Sequence, residues 1–263
     1  MTRSTTTPTG TAALPDTGVL PGATAALVRR FVDGLQDGLE PLAVWAHGSL
    51  GGGDYQEGRS DLDLIAVLDG PMTAGTVWRV ARLHARLRHE PLAALLHCTY
   101  LTPGTADDNG RKHLTWAHER LFRRTVTPVT RRELHSFGVV LHGELPEALL
   151  PPVQDIDLAA FVVGDQRDFW RPAVDRAHLW QRDVWVDLGL LTHARAAVTL
   201  RDGRLISKRE ALELLPELGA PGEVVEDVRR RRYREPARVV PRRGQLTRAF
   251  LGPAIDGLVR TYG

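Results

Sequence analysis

The chain has 263 residues, of which 43% are hydrophobic and 25% are charged, as is ordinary for a globular protein. Its 34 basic and 32 acidic residues nearly balance, so we expect no nucleic-acid partner. No apolar run is long enough to cross a bilayer, and the N-terminus lacks the apolar core of a signal peptide, so we expect no membrane partner. The single cysteine, Cys98, excludes an internal disulfide and, with the missing signal peptide, favours the cytoplasm.

The first 150 residues have the hydrophobic pattern of a small α/β domain. Residues 1–20, rich in Thr, Gly, Pro and Ala, are predicted to form a disordered tail. A helix, two strands, a helix and a third strand are then expected over residues 25–35, 42–46, 61–68, 76–88 and 92–101. Residues 107–150 are mixed in pattern, and Thr130 with Glu133 has the spacing of a capping box, which predicts the start of a helix.

The pattern changes after Pro151-Pro152, where helical spacing of apolar residues continues to the end of the chain. Residues 177–201 are predicted to form a long helix. We therefore predict two domains, an α/β (α+β) domain over residues 21–150 and an all-α helical bundle over residues 151–263.

One segment carries residues that suit chemistry on phosphates. Asp61 and Asp63 are two apart on a predicted strand, so both carboxylates project from the same face. Two close carboxylates are favourable when they share divalent cations, and Mg²⁺ prefers carboxylates together with phosphate oxygens. Two such ions can clamp the attacking and leaving oxygens of an in-line displacement. The pair therefore predicts a site for two Mg²⁺ ions.

Gly48 and Ser49 precede this pair, with eleven residues between Ser49 and Asp61. Glycine lets the backbone approach a phosphate, and the serine hydroxyl and successive backbone N–H groups can bind an anion. The alternative interpretation is a glycine-rich turn followed by a strand with solvated acids. The combination of Gly-Ser after an apolar strand, the gap and the alternating Asp residues favours the functional interpretation.

The segment GSLGGGDYQEGRSDLDLIAV, residues 48–67, resembles the signature of the DNA polymerase beta-like nucleotidyltransferase superfamily. The domain order, Trp116, the VVLHG stretch and LLTHARAAVTLRDGRLISKREAL resemble the streptomycin/spectinomycin adenylyltransferases. This resemblance implies a small mixed sheet and transfer of a nucleoside monophosphate, AMP from ATP, to a hydroxyl of a small aminoglycoside-like acceptor. Antibiotic resistance is the corresponding role. We expect the protein to act as a monomer.

The resemblance also implies which residues contact the triphosphate. Gly48, Ser49 and Ser60 belong to the signature segment, and Asp61 and Asp63 hold the metal ions. An Arg on a long helix and a Lys after the following turn meet the phosphates in the related enzymes, and the matching positions here are Arg195 and Lys208.

The sequence departs from the family at a third carboxylate, the catalytic base on the next strand. His97 stands in its place, and a neutral histidine can accept a proton near pH 7. The alternatives are a histidine satisfied by a hydrogen bond at a strand edge, and Glu90 as the base, although Glu90 precedes Pro91 at a turn and is predicted to be a surface residue.

Three residues are predicted to contact the acceptor. Trp116 matches a family Trp, whose face suits a sugar ring or a cation. Asp183 and Asp187 are one helical turn apart and match a helix whose acids bind amino and guanidino groups. The alternatives are a Trp in an ordinary core and a helix face paired with Arg182 or Arg176.

Other functions stay open on the sequence alone. The acceptor of a nucleotidyltransferase could be a nucleoside, a protein or an RNA end. The missing third carboxylate also fits a non-catalytic nucleotide-binding module. The basic run Arg229–Arg232 could touch nucleic acid, or it could be a solvated helix surface balanced by neighbouring acids.

Overall fold

The computed structural model describes residues 20–233 and 240–263, so the predicted tail lies outside the described residues except for Leu20. The part before residue 150 combines helices with six strands. Its elements are α1 (Gly22–Gln36), β1 (Pro41–Ala46), α2 (Gly48–Gly51), β2 (Leu62–Leu68), α3 (Ala74–Leu87), β3 (Leu96–Leu101), β4 (Lys112–Ala117), β5 (Arg120–Thr125), α4 (Pro128–Phe137), β6 (Val139–Gly143) and α5 (Pro146–Leu149).

The strands form one mixed sheet in the order β5-β4-β3-β2-β1-β6. β2 and β3 are parallel, because α3 carries the chain back between them, and every other neighbouring pair is antiparallel. In the register of the parallel pair, Asp63 lies beside His97. The sheet therefore brings two of the predicted site residues together.

Alternate residues of each strand pack on opposite faces of the sheet. On one face, Leu62 and Leu64 belong to a core shared with α1 and α3. On the other face, Ile65 packs in a core that includes Leu134 of α4. Asp63 has the parity of Ile65, so its side chain lies on the face that α4 covers.

The described residues after α5 are mainly helical. Its elements are α6 (Asp155–Gly164), a π-helical turn (Asp165–Trp170), α7 (Arg171–Val174), α8 (Asp183–Asp202), α9 (Lys208–Leu214), α10 (Gly222–Tyr233) and α11 (Arg243–Tyr262). α8 lies at the centre, where Leu190 and Ala194 are buried with Val224 of α10 and Leu251 of α11. No strand follows β6 in the described residues, which confirms the predicted fold class: an α+β part with a small mixed sheet and an all-α part. The domain boundary near residue 150 stays a prediction.

Two predicted elements are shorter than the pattern indicated. The strand expected over residues 92–101 begins only at Leu96, after a 3-10 turn over Ala93–Leu95. The helix expected over residues 177–201 begins at Asp183, after another 3-10 turn over Leu179–Gln181. In both cases the apolar pattern continues through the turn, so periodicity alone does not fix where the strand or the helix begins.

The predicted capping box is wrong. α4 begins at Pro128, and the side chain of Thr127 caps it by accepting a hydrogen bond from Thr130 N at 3.1 Å. Glu133 therefore lies inside the helix and is free for another role. None of the helices in residues 20–233 and 240–263 is long and apolar enough to cross a membrane.

Candidate active site

Asp61 and Asp63 lie side by side at the start of β2, and His97 of β3 lies against both. Asp63 is the second residue of the strand, and Asp61 immediately precedes the strand rather than opening it. The His97 ring nitrogens lie 3.7 Å from Oδ1 of each carboxylate, Nε2 towards Asp61 and Nδ1 towards Asp63. Because His97 is only 4% exposed, it packs beneath the carboxylates.

The Asp63 carboxylate is held in its charged form. Burial raises its pKa, but His97, His47 and Arg124 together lower it by more, so the pKa of Asp63 lies below its ordinary value. Asp61 is about half exposed at its side chain. At neutral pH the edge of the sheet therefore presents an ionised Asp63 carboxylate beside the accessible Asp61 side chain.

Gly48 is required by its contact with Asp63. Its φ is +61°, and a Cβ built there would lie 2.9 Å from Asp63 Oδ2. The preceding residue, His47, donates its backbone N–H to the Asp63 carbonyl oxygen at 3.0 Å. The turn from β1 into α2 is therefore fitted closely around the acid pair.

A cavity of about 720 Å³ opens over this pair. The sheet, the glycine-rich loop (residues 48–60) and α4 form one side of it, and the C-terminal helices form the other. The lining includes six predicted site residues, Gly48, Ser49, Asp61, Asp63, Arg195 and Lys208. The structure thus joins residues that are up to 160 positions apart into one concave site, the shape that small-molecule sites commonly have.

The helical side of the cavity supplies positive charge. Lys208 is the first residue of α9, and Arg195 lies near the middle of α8. Burial lowers the pKa of Lys208 below its usual value; two arginines lower it further, and the two aspartates oppose that shift. An anion that enters the cavity with cations bound at the acid pair therefore meets attractive charge on both sides.

Glu133 is a site residue that the sequence analysis missed. It lines the cavity, is 6% exposed, and bridges His47 and Arg195. The sequence analysis assigned Glu133 to a capping box with Thr130 and therefore gave it no role in the site. Thr127-Pro128 is the better sequence signal for the start of α4, because proline is favoured at the first helical position. A helix that begins there needs no capping contact from Glu133.

The acid pair fits Mg²⁺. In the described residues, no group of three or more His, Cys, Asp or Glu side chains could enclose a metal ion. Mg²⁺ is commonly held by one or two carboxylates, with phosphate oxygens and water completing its coordination. Asp61 and Asp63 match that donor set, because they are adjacent, and Asp63 is ionised beside an open cavity.

Two predicted contact residues do not reach the cavity. Ser60 is buried, and its hydroxyl accepts a hydrogen bond from Gln56 N at 3.1 Å, which stabilises the loop. Trp116 stacks on His84 of α3 with ring centroids 4.4 Å apart. This contact lies on the face of the sheet opposite Asp63, since Trp116 packs against the core shared by α1 and α3.

Asp183 and Asp187 also lie outside the cavity lining. Asp183 pairs with Arg243 of α11, and Asp187 pairs with Arg231 of α10. Their contacts match the alternative of a helix face paired with arginines, but the partners are not Arg182 or Arg176. The acceptor role of both acids and of Trp116 stays a prediction. Glu90, the other candidate base, pairs with Arg30.

The basic run in α10 is engaged within the protein. Besides the Arg231 pairs, Arg230 bonds Glu226 at 3.2 Å, and Arg232 Nη2 donates to Asp54 Oδ2 at 2.8 Å. Asp54 is 2% exposed and also accepts a 2.8 Å hydrogen bond from the Tyr233 hydroxyl. The run therefore anchors the glycine-rich loop to α10, which disfavours a nucleic-acid surface.

Comparison with known proteins supports the fold. No family model and no curated protein sequence matches the chain. Among solved structures, it is similar to the spectinomycin adenyltransferase AAD(9) from Enterococcus faecialis, solved with ATP and spectinomycin. The two are 15% identical with a TM-score of 0.66, over 88% of this chain and 97% of that one. The resemblance implied by the signature segment is thus confirmed at the level of the fold, which this chain shares with an aminoglycoside-type adenylyltransferase.

Proposed function

We propose that this protein is a Mg²⁺-dependent nucleotidyltransferase that moves AMP from ATP to a hydroxyl of an aminoglycoside-like acceptor. The proposal rests on one observation: a single cavity is lined by two acids, Asp61 and Asp63, and by two basic residues of the helical part, Arg195 and Lys208. The similar enzyme AAD(9), which was solved with ATP and spectinomycin, supports ATP and a small acceptor as the ligands.

In the proposed reaction, some residues of the cavity bind the triphosphate and others neutralise its charge. Asp61 and Asp63 would hold Mg²⁺, which neutralises phosphate charge and orients the reacting oxygens when it is bound. Ser49 and the backbone N–H groups near Gly48 bind phosphate oxygens, and Arg195 and Lys208 approach from the other side. The acceptor hydroxyl attacks the α-phosphorus, the bond to pyrophosphate breaks, and the hydroxyl proton leaves. Positioning and electrostatic stabilisation supply most of the rate enhancement.

His97 is our proposed proton acceptor, acting through a water molecule because its ring lies beneath the carboxylates. It occupies the strand position at which the related enzymes have a carboxylate, and its Nε2 is buried without a hydrogen-bond partner in the described residues. A His97→Ala enzyme with full turnover on its true acceptor would contradict this role.

The test is pyrophosphate release from ATP, GTP, CTP and UTP with Mg²⁺, against a panel of aminoglycosides and nucleosides. We expect release with ATP and one acceptor, and a loss of about 100-fold or more in Asp63→Asn. Asp69→Asn is the matched control, because Asp69 is exposed just beyond the far end of the same strand, and it should keep full activity.

Each other outcome separates the alternatives. Release with a nucleoside, protein or RNA acceptor keeps the reaction and changes the substrate class. Tight ATP binding with no release under any condition identifies a non-catalytic nucleotide-binding module. Full activity of Asp63→Asn contradicts the assignment of the acid pair.

A further inference from the structure

Glu133 connects the two sides of the cavity through its two carboxylate oxygens. Its Oε2 lies 3.0 Å from His47 Nδ1, and its Oε1 accepts a hydrogen bond from Arg195 Nη2 at 2.8 Å. His47 precedes the Gly48-Ser49 turn, whereas Arg195 belongs to α8 in the helical part. One buried carboxylate therefore links the turn beside the acid pair to a cation on the opposite side.

Both contacts are charge-assisted. Burial raises the pKa of Glu133, but His47 and Arg195 lower it by more, so the pKa lies below its ordinary value. An ionised carboxylate only accepts hydrogen bonds, so His47 Nδ1 carries a hydrogen and its other nitrogen is left to other partners. Glu133 thereby fixes the orientation of the imidazole as well as that of the guanidinium.

The Arg195 guanidinium is held at two of its three nitrogens. Nε donates to the Ile206 carbonyl oxygen at 2.9 Å, and Nη2 donates to Glu133. In the described residues Nη1 makes no hydrogen bond, although Arg195 lines the cavity. A flexible side chain that is fixed before its ligand arrives loses less entropy on binding.

We propose that Glu133 is a positioning residue for the nucleotide site. It fixes Arg195 so that Nη1 is presented to the β- and γ-phosphates of the nucleoside triphosphate, while His47 holds the other carboxylate oxygen of Glu133 in place. This inference rests on the proposed nucleotidyl transfer. It assigns Glu133 no contact with the substrate, because its two oxygens face His47 and Arg195 and its negative charge would repel a phosphate.

A purely structural Glu133 and a positioning Glu133 differ in one measurable respect. If Glu133 is purely structural, its substitution changes the stability of the protein. The ratio of the Kd of ATP to the Kd of AMP then stays as it is in the wild type. A positioning residue acts through Arg195 on phosphates that AMP lacks, so it would change the affinity for ATP alone.

The experiment measures the Kd of ATP and of AMP by calorimetry, with Mg²⁺ and without acceptor, on the full chain. Thermal unfolding confirms that each variant is folded at the assay temperature. We expect Glu133→Gln to weaken ATP binding about 10-fold or more and to leave AMP binding unchanged. Glu147→Gln is the matched control, because Glu147 lies 3.8 Å from a histidine, His135, but is exposed outside the cavity.

A double-mutant cycle with Arg195→Ala then tests the route of the effect. If Glu133 acts through Arg195, Glu133→Gln has little further effect on ATP affinity in the Arg195→Ala background. Additive losses, or equal weakening of ATP and AMP, overturn the inference. Wild-type protein that binds ATP but releases no pyrophosphate contradicts only the catalytic proposal, whereas wild-type protein that does not bind ATP overturns both.

Discussion

Gly48 meets two separate demands, one from its own backbone and one from its neighbour. Its φ of +61° is costly for any residue with a Cβ, and a Cβ there would also press on Asp63 Oδ2 at 2.9 Å. Gly53 meets only the first demand, with a φ of +68° and no atom within 4 Å of a built Cβ. The two glycines therefore form a natural matched pair.

We expect Gly48→Ala and Gly53→Ala each to lower the free energy of unfolding by about 1 kcal/mol, because both force alanine into the left-handed region. Gly48→Ala should also reduce turnover at least about 10-fold more than Gly53→Ala does, because it displaces the Asp63 carboxylate. Urea denaturation and pyrophosphate release measure the two effects. Equal turnover in the two variants would show that the contact with Asp63 is unimportant.

The residues of the candidate site could be predicted from the sequence where they form a short motif of neighbouring residues. Asp61 and Asp63 are two positions apart and Gly48-Ser49 follows an apolar strand, so the sequence singles them out, and the structure places all four at the cavity. Glu133 and Asp54 were not found, because what distinguishes them is burial against an arginine distant in the sequence. A lone acid carries no local sign of that pairing.

At the scale of an element, the β4–β5 hairpin could not be predicted from the sequence. Its two-residue connection, His118-Glu119, has positive φ values of 51° and 57°, as a type I′ turn requires. Such turns are usually marked by Asn-Gly or Asp-Gly, and this one is not, so residues 107–150 gave a mixed pattern. The parallel β2–β3 pair was easier, since buried apolar strands flank a clearly amphipathic helix.

The same turn offers a stabilising substitution. We expect Glu119→Gly to raise the free energy of unfolding by about 1 kcal/mol, because glycine adopts positive φ without the penalty that glutamate suffers. Arg120→Gly, one residue further and within β5, is the control and should lower it by about 0.5 kcal/mol. Both residues are exposed, so packing is not disturbed. Destabilisation by Glu119→Gly in a urea titration would contradict the strain argument.

At the scale of the whole molecule, Asp54 joins the glycine-rich loop to the helical part. It is almost fully buried and is bonded by Arg232 and Tyr233 of α10 and by the backbone N–H of Arg209 in α9. A buried carboxylate that lost its charge would leave Arg232, itself only 13% exposed, without its partner. The site on the sheet therefore depends on helices that lie far away in the sequence.

We expect Asp54→Asn to lower the free energy of unfolding by about 3 kcal/mol, since breaking a buried ion pair strands the remaining charge. Asp168→Asn, which removes the exposed pair with Arg167, should leave the unfolding midpoint unchanged. Chemical denaturation of the two variants beside the wild type measures the difference. Similar midpoints for both variants would mean that the Asp54 contacts contribute no more than a surface pair.

The Asp54–Arg232 contact spans 178 positions of the chain, and this separation imposes an order on biosynthesis. During translation the glycine-rich loop and both aspartates of the acid pair leave the ribosome long before α10 does. Until α9 and α10 arrive, Asp54 lacks both Arg209 and Arg232, and the loop lacks these anchors. A nascent chain can therefore carry the whole glycine-rich loop and the acid pair while the cavity above them is still incomplete.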